Sequence, residues 1–262
     1  TSRVLNDRWG PMLRAGNDDV SFVGNLGFDG MLRHVRGVLA RAVGRCVVPW
    51  CDARIVRLAQ AAQAYGLSNV RHLLSDSYRH VEHLRLRYPE AAQLNFALPA
   101  ALQAVLRQHV DTPRLLLVGP AGCGKTLYAR ALAAELPPMS IDQSLTVTKL
   151  HDIAGLIDVK SPQVVCRPFR APHHTVSGYG MTGNAQHPGE IALAHEGVLF
   201  LDELHDFHPA TIRLLCDELA GRQRFWQAKP ARLVAAATPH SPACERRWTE
   251  FAKALEMQTV VL

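Results

Sequence analysis

The chain has 262 residues and a formal net charge of +6, with 48% hydrophobic and 20% charged residues. That balance excludes disordered, collagen-like and disulfide-scaffold classes and allows one large core or two smaller ones. No apolar run reaches the roughly 18 residues of a membrane span, and a pI near 9.2 permits an anionic partner without specifying one.

Residues 1–7 are polar and lack the apolar region of a secretory signal, and the chain starts at Thr rather than Met, so an upstream start is expected. Residues 20–23 read as a strand, followed by turn signals at Gly24-Asn25 and Asp29-Gly30. Helical spacing is predicted over 32–42 and an amphipathic helix over 52–65, the latter ending at Gly66 with Arg54 and Arg57 on a solvated face. Short apolar runs at 46–49 and 70–74 read as extended, and 85–98 as a connection interrupted by Pro89. A helix over 100–109 leads to Asp111-Thr112-Pro113.

A β-loop-α pattern then begins. The apolar run 115–118 precedes a Gly-rich loop, 119–124, and a helix predicted over 125–136 that Pro137-Pro138 ends. Residues 140–197 read as mixed and turn-rich. Val198–Leu201 is an apolar strand running into Asp202-Glu203, followed by a helix from Pro209 with a stop at Gly221. The apolar run 233–237 ends at Thr238. Short apolar strands alternating with helices predict an α/β fold, a parallel sheet covered on both faces.

The loop Gly119-Pro120-Ala121-Gly122-Cys123-Gly124-Lys125-Thr126 matches G-x-x-x-x-G-K-[ST] in full, with a strand before it and a helix after. Its glycines let backbone N–H groups turn inward on phosphate oxygens, and the helix presents its positive end to them. Lys125 reaches the β- and γ-phosphates and the Thr126 hydroxyl coordinates Mg²⁺, which makes ATP and Mg²⁺ the expected ligands. A buried strand delivers Asp202 to the metal and Glu203 to the attacking water as general base; alone, such a run is also a strand ending in a solvated turn. Thr238 is placed to touch the γ-phosphate.

Six cysteines, Cys46, Cys51, Cys123, Cys166, Cys216 and Cys244, are scattered without a C-x-x-C pair, which fits reduced thiols in a cytoplasmic protein better than zinc or disulfides. His173 and His174 are poor metal ligands as a pair, because neighbours on an extended segment point to opposite sides. Arg167, Arg170, His173 and His174 either grip a DNA backbone or brace the fold locally. Arg222, Arg224, Phe225 and Trp226 read as an amphipathic hairpin or a single-strand platform.

Two segments carry a family resemblance. Arg167-Pro168-Phe169-Arg170-Ala171-Pro172-His173-His174-Thr175 and Pro188-Gly189-Glu190-Ile191-Ala192-Leu193-Ala194-His195-Glu196-Gly197 running into Val198-Leu199-Phe200-Leu201-Asp202-Glu203-Leu204 resemble the magnesium-chelatase-type AAA+ ATPases of the ComM (YifB) group. Val23-Gly24-Asn25-Leu26-Gly27-Phe28-Asp29-Gly30, Arg36-Gly37-Val38-Leu39 and Val47-Val48-Pro49 are similar to the second half of that family's Lon-protease-like N-terminal domain. The resemblance runs from near Val20 to near Ser241. It implies a partial Lon-protease-like α+β domain over 1–94, a three-layer αβα AAA+ core over 95–262, and no C-terminal lid. It further implies a homo-hexameric, DNA-acting ATPase, a helicase driving branch migration during natural transformation.

The chain departs from that family's pattern in several places. Phe96-Ala97-Leu98 stands where a Val-Arg-Gly-Gln motif is expected, Thr238 replaces a sensor Asn, and Ala254-Leu255-Glu256-Met257 carries no finger arginine, Arg246 and Arg247 being the nearest substitutes. A lost finger costs about 10³–10⁵ in rate on related P-loop enzymes. The departures imply hydrolysis at least roughly a hundredfold below a full-length relative and a monomer or small oligomer. In the limit they imply a nucleotide-binding module that no longer turns over.

Overall fold

The computed structural model describes residues 98–157, 161–221 and 226–262, and before them 20–22, 25–26, 31–33, 36–41, 44–49, 62–67, 79–81, 87 and 89–91. The chain divides into two compact units. One comprises Thr1–Tyr88 and Thr148–Val164, the other Pro89–Val147 and Val165–Leu262.

The first unit holds a mixed four-stranded sheet. Its strands are β1 (Val20–Phe22), β4 (Gly44–Pro49), β5 (Ala62–Leu67) and β6 (Arg79–Val81), in that spatial order. The first two pairings are parallel and the last antiparallel. A separate ribbon pairs β2 (Asn25–Leu26) with β3 (Leu32–Arg33). Of the helix predicted over 32–42, residues 32–33 belong to β3 and 38–41 form α1 (Val38–Arg41), where the buried Asp152 carboxylate accepts the Leu39 amide at 2.8 Å, and 34, 35 and 42 lie outside the described residues. The predicted helix over 52–65 is also corrected. Residues 62–65 belong to β5, whose ladders to β4 and β6 outweigh helical spacing, and 52–61 lie outside the described residues. The expected strand at 70–74 lies outside them as well.

The second unit is built on five strands: β7 (Arg114–Val118), β8 (Phe169–Arg170), β9 (Val198–Leu201), β10 (Arg232–Ala237) and β11 (Gln258–Val261). All four pairings are parallel, in the spatial order β11-β7-β10-β9-β8. Side chains alternate along each strand, so one face carries Leu115, Leu117, Phe200 and Val234, and the other Leu116, Val118, Leu199, Leu201 and Ala235. The first face packs on α2 (Ala100–His109) and α3 (Lys125–Ala134) through Leu106, Tyr128 and Leu132. The second packs on α5 (Gly178–Thr182), α6 (Glu190–Leu193), α7 (Pro209–Leu219) and α8 (Pro242–Ala254) through Met181, Ile191, Leu215 and Ala252. The predicted three-layer α/β arrangement is thus observed.

Start signals are used as expected. Pro209 and Pro242 occupy first-turn positions, and the Ser241 hydroxyl accepts the Cys244 amide at 3.3 Å. Residues 140–197 hold more regular structure than their composition suggests, including α4 (Ile141–Ala154). That helix has a weak amphipathic pattern, so its periodicity is hard to read.

Gly197 opens β9 where two backbones nearly touch: a Cβ there would meet the Pro168 carbonyl oxygen at 2.0 Å. Gly197→Ala must push β8 off β9 at the Val198–Phe169 pairing. A loss of about 2 kcal/mol, equivalent to roughly 4–8 °C in Tm, is expected in a thermal melt. An unshifted midpoint would show that this edge relaxes freely.

Candidate nucleotide-binding site

The site forms at the carboxyl ends of β7, β9 and β10, where parallel strands release their loops. The β7 loop turns into α3 at Gly124, whose φ of +97° closes the turn in a conformation that L side chains avoid. A Cβ at that position would also meet Leu102 Cδ1 at 3.0 Å. Gly119, Pro120, Ala121, Gly122 and Cys123 complete the loop. The Gly119 amide donates to the Ala237 carbonyl at 3.2 Å and the Cys123 amide to the Pro120 carbonyl at 3.3 Å.

Lys125 is the first residue of α3 and only 7% exposed. Its Nζ donates to the carbonyls of Gly119 (2.9 Å) and Pro120 (3.0 Å) and to Thr238 Oγ1 (2.9 Å). The Thr238 hydroxyl in turn donates to Glu203 Oε1 at 2.5 Å, and the Thr238 amide donates to Glu203 Oε2 at 3.1 Å. Thr238 therefore stands between the loop lysine and the carboxylate. It can do so because β10 lies between β7 and β9. The Glu203 backbone is held at φ 47°, ψ 65°, a left-handed conformation that costs about 1–2 kcal/mol in a non-glycine residue and marks over-determined sites.

Asp202 is exposed at the end of β9, with Oδ1 accepting the Glu203 amide at 3.1 Å, and Thr126 is exposed at the start of α3. A carboxylate and a hydroxyl are hard oxygen donors of the kind Mg²⁺ takes beside phosphate oxygens, so the residues present fit that ion. Loop, lysine, paired carboxylates and Thr238 are thus brought to one sheet edge. Of the region read as adenine-facing, Leu98 is buried, and Phe96 and Ala97 lie outside the described residues.

The arginines weighed for DNA are engaged elsewhere. Arg167, with a side chain only 9% exposed, donates to the Pro137 carbonyl at 2.6 Å and to the backbone carbonyl and carboxylate of Glu196. Arg170 forms a bidentate pair with Glu190 at 2.7 and 2.8 Å, and that hydrogen bonding, ahead of the opposing effect of burial, raises its pKa. Both brace the loop between α4 and β9, the local role that the sequence also allowed.

His173 and His174 are not on opposite sides of an extended segment. A turn closed by the Val176 amide on the His173 carbonyl (2.9 Å) brings their rings to 4.0 Å, which corrects the alternation argument. Of the basic and aromatic run, Trp226 donates its indole N–H to the Asn184 carbonyl at 2.9 Å, and residues 222–225 lie outside the described residues.

Near the finger position, Arg247 is held by the Phe207 carbonyl at 2.8 Å and lies over the Phe251 ring, whereas Arg246 is exposed. Among the described residues Cys123, Cys166, Cys216 and Cys244 are not joined in disulfides, and no helix is long and apolar enough to cross a membrane.

A family model described as magnesium chelatase, subunit ChlI, matches residues 101–224. YifB of Escherichia coli is 32% identical over 249 residues, which is 85% of this chain and 48% of that protein. YifB of Salmonella typhimurium is 39% identical over 135 residues, 48% of this chain and 26% of that protein. The competence protein ComM of Haemophilus influenzae is 41% identical over 97 residues, 36% of this chain and 18% of its own length. The chain spans about half the length of the first of these relatives, or less of the others.

Proposed function

The chain belongs to the magnesium-chelatase-like AAA+ ATPase family that includes YifB and ComM, and on that premise we propose that it binds and hydrolyses ATP and acts on DNA, as a branch-migration helicase in recombination during natural transformation. The observation that carries the nucleotide part is the chain of contacts Lys125–Thr238–Glu203, which joins the phosphate loop to a carboxylate through one hydroxyl.

In this reading the backbone of Gly119–Gly124 and Lys125 hold the phosphates, while Thr126 and Asp202 hold Mg²⁺. The metal supplies charge neutralisation on the β- and γ-phosphate oxygens. Glu203 orients and deprotonates the attacking water once its carboxylate leaves the Thr238 amide and hydroxyl. Thr238, in that event, offers its hydroxyl and Lys125 its ammonium to the terminal phosphate.

Residues 1–94 are read as a partial Lon-protease-like domain and 95–262 as the AAA+ core, in a cytoplasmic protein. The net charge of +6 supports an anionic partner. Arg167, Arg170, His173 and His174 are the residues proposed to meet the DNA backbone, Arg167 and Arg170 being also paired with Glu196 and Glu190. A homo-hexamer is the assembly that the family resemblance implies.

A second reading is a nucleotide-binding module with little turnover. It is favoured by the clamp of Thr238 on both oxygens of Glu203 and by Met257 at the finger position. A steady-state ATPase assay with and without single-stranded DNA separates the two. DNA-stimulated turnover is expected from the first; tight ATP binding with turnover at background, unchanged by DNA, would displace it in favour of the second.

A further inference from the structure

Beside the phosphate site, Glu203, His205 and His240 present one ligand atom each within 4.8 Å of one another. His205 lies in the 3-10 turn Leu204–Asp206, immediately after the β9 carboxylates, and its ring is buried, with 7% of the side chain exposed. Its Nδ1 has no hydrogen-bond partner and faces Glu203 Oε2 at 3.6 Å, while Nε2 faces Asp206 Oδ1 at 3.7 Å. A buried imidazole nitrogen without a partner costs about 1–3 kcal/mol, which calls for an occupant. His240, exposed on the loop after β10, sets its ring edge-on to His205 at 5.7 Å.

We propose that these three side chains form a binding site for a transition-metal dication of the zinc class, distinct from the oxygen-lined Mg²⁺ position. The donor set decides the class: two imidazoles and one carboxylate suit zinc, cobalt or nickel, whereas Mg²⁺ takes oxygen ligands. Asp206 on the far nitrogen of His205 is the carboxylate that orients a metal-bound histidine and raises its basicity. The local charge also favours a cation, since Asp202, next to Glu203 in the chain, and Asp206, 3.7 Å from His205 Nε2, add two further carboxylates. Ligands of a tetrahedral ion at about 2.0–2.2 Å lie roughly 3.4 Å apart, so a rotation of the exposed His240 ring closes the site. An ion there takes Oε2 of Glu203. That withdraws the carboxylate from water activation while leaving the phosphate loop untouched. This effect on turnover rests on the role proposed for Glu203; the binding itself does not.

The test titrates the chelator-stripped chain, without nucleotide, with Zn²⁺ by calorimetry and with Co²⁺ by visible absorption. One site is expected, with a cobalt spectrum free of a thiolate charge-transfer band. His240→Ala, at an exposed loop position, should fold with an unchanged melt and lose about tenfold or more in affinity, the least that a lost ligand costs. With Mg²⁺ in excess, Zn²⁺ should lower ATP turnover of the parent more than that of His240→Ala, at equal nucleotide affinity. Equal metal affinity of parent and variant, no binding by the parent, or a thiolate band placing the metal on a cysteine would each overturn the site. A chain that hydrolyses no ATP with Mg²⁺ present and Zn²⁺ removed would count against the proposed function, and the nucleotide-free titrations would still decide the metal site.

Discussion

Lys125→Ala is expected to abolish stabilisation of the chain by ATP. A ligand at about a hundredfold over its Kd adds about 2.7 kcal/mol to the folded state, which for a domain of this size is roughly 5–11 °C in Tm. The parent should show that gain with ATP and Mg²⁺ and the variant almost none. The ammonium is held by three oxygens at 2.9–3.0 Å, two of them loop carbonyls, and is nearly buried. It is therefore prepositioned, and phosphate oxygens exchange for carbonyls with little reorganisation. The same contacts mean that the substitution loosens the unliganded loop, so the comparison is each protein's own gain with nucleotide, not its absolute Tm. Lys125→Met, which keeps the apolar stem, separates the lost charge from the lost packing. If Lys125→Ala gains as many degrees as the parent, the nucleotide sits elsewhere.

Glu203→Gln should leave ATP affinity within about twofold and lower hydrolysis by about a hundredfold or more, the usual contribution of a positioned general base. Glutamine keeps the size of the side chain and a carbonyl oxygen to accept from the Thr238 amide. The left-handed backbone at residue 203 is retained, because its cost does not depend on the side-chain charge. What goes is the group that takes a proton, so kcat should fall and the binding constant should not. Single-turnover measurement of phosphate release, beside a direct nucleotide titration, reads both quantities. Equal turnover by variant and parent would remove Glu203 from the chemistry. The result also bears on Thr238: a parent already as slow as Glu203→Gln, with ATP bound, would point to the clamp on the carboxylate as the reason.

Much of the geometry of the candidate site was legible from spacing alone. A loop with glycines where the backbone turns, a lysine at the first helical residue and an apolar strand ending in two carboxylates are local patterns, and local sterics make them local structure. Gly124 at φ +97° and the α3 start at Lys125 follow that logic. Strands β7, β9 and β10 announced themselves for a related reason: a parallel strand covered on both faces has no polar side and reads as a continuous apolar run.

The failures share a cause as well. The stretch 62–65 has helical spacing, yet it pairs between β4 and β6, because ladder partners distant in sequence outweigh a weak local preference. The roles of Arg167 and Arg170 were open in the sequence, since an arginine near a basic motif serves phosphate or carboxylate equally well. Glu196 and Glu190 are the carboxylates that the fold sets against them. Strand order is the deepest of these decisions. Nothing local to Thr238 says that β10 lies between the lysine's strand and the carboxylate's strand, or that His205 and His240 meet beside Glu203. The sequence by itself determined the chemical groups and the turns that present them, because those depend on neighbours along the chain. The tertiary structure alone decided which groups share a hydroxyl or an empty imidazole nitrogen, because that depends on how five parallel strands order themselves to bury both faces of one sheet.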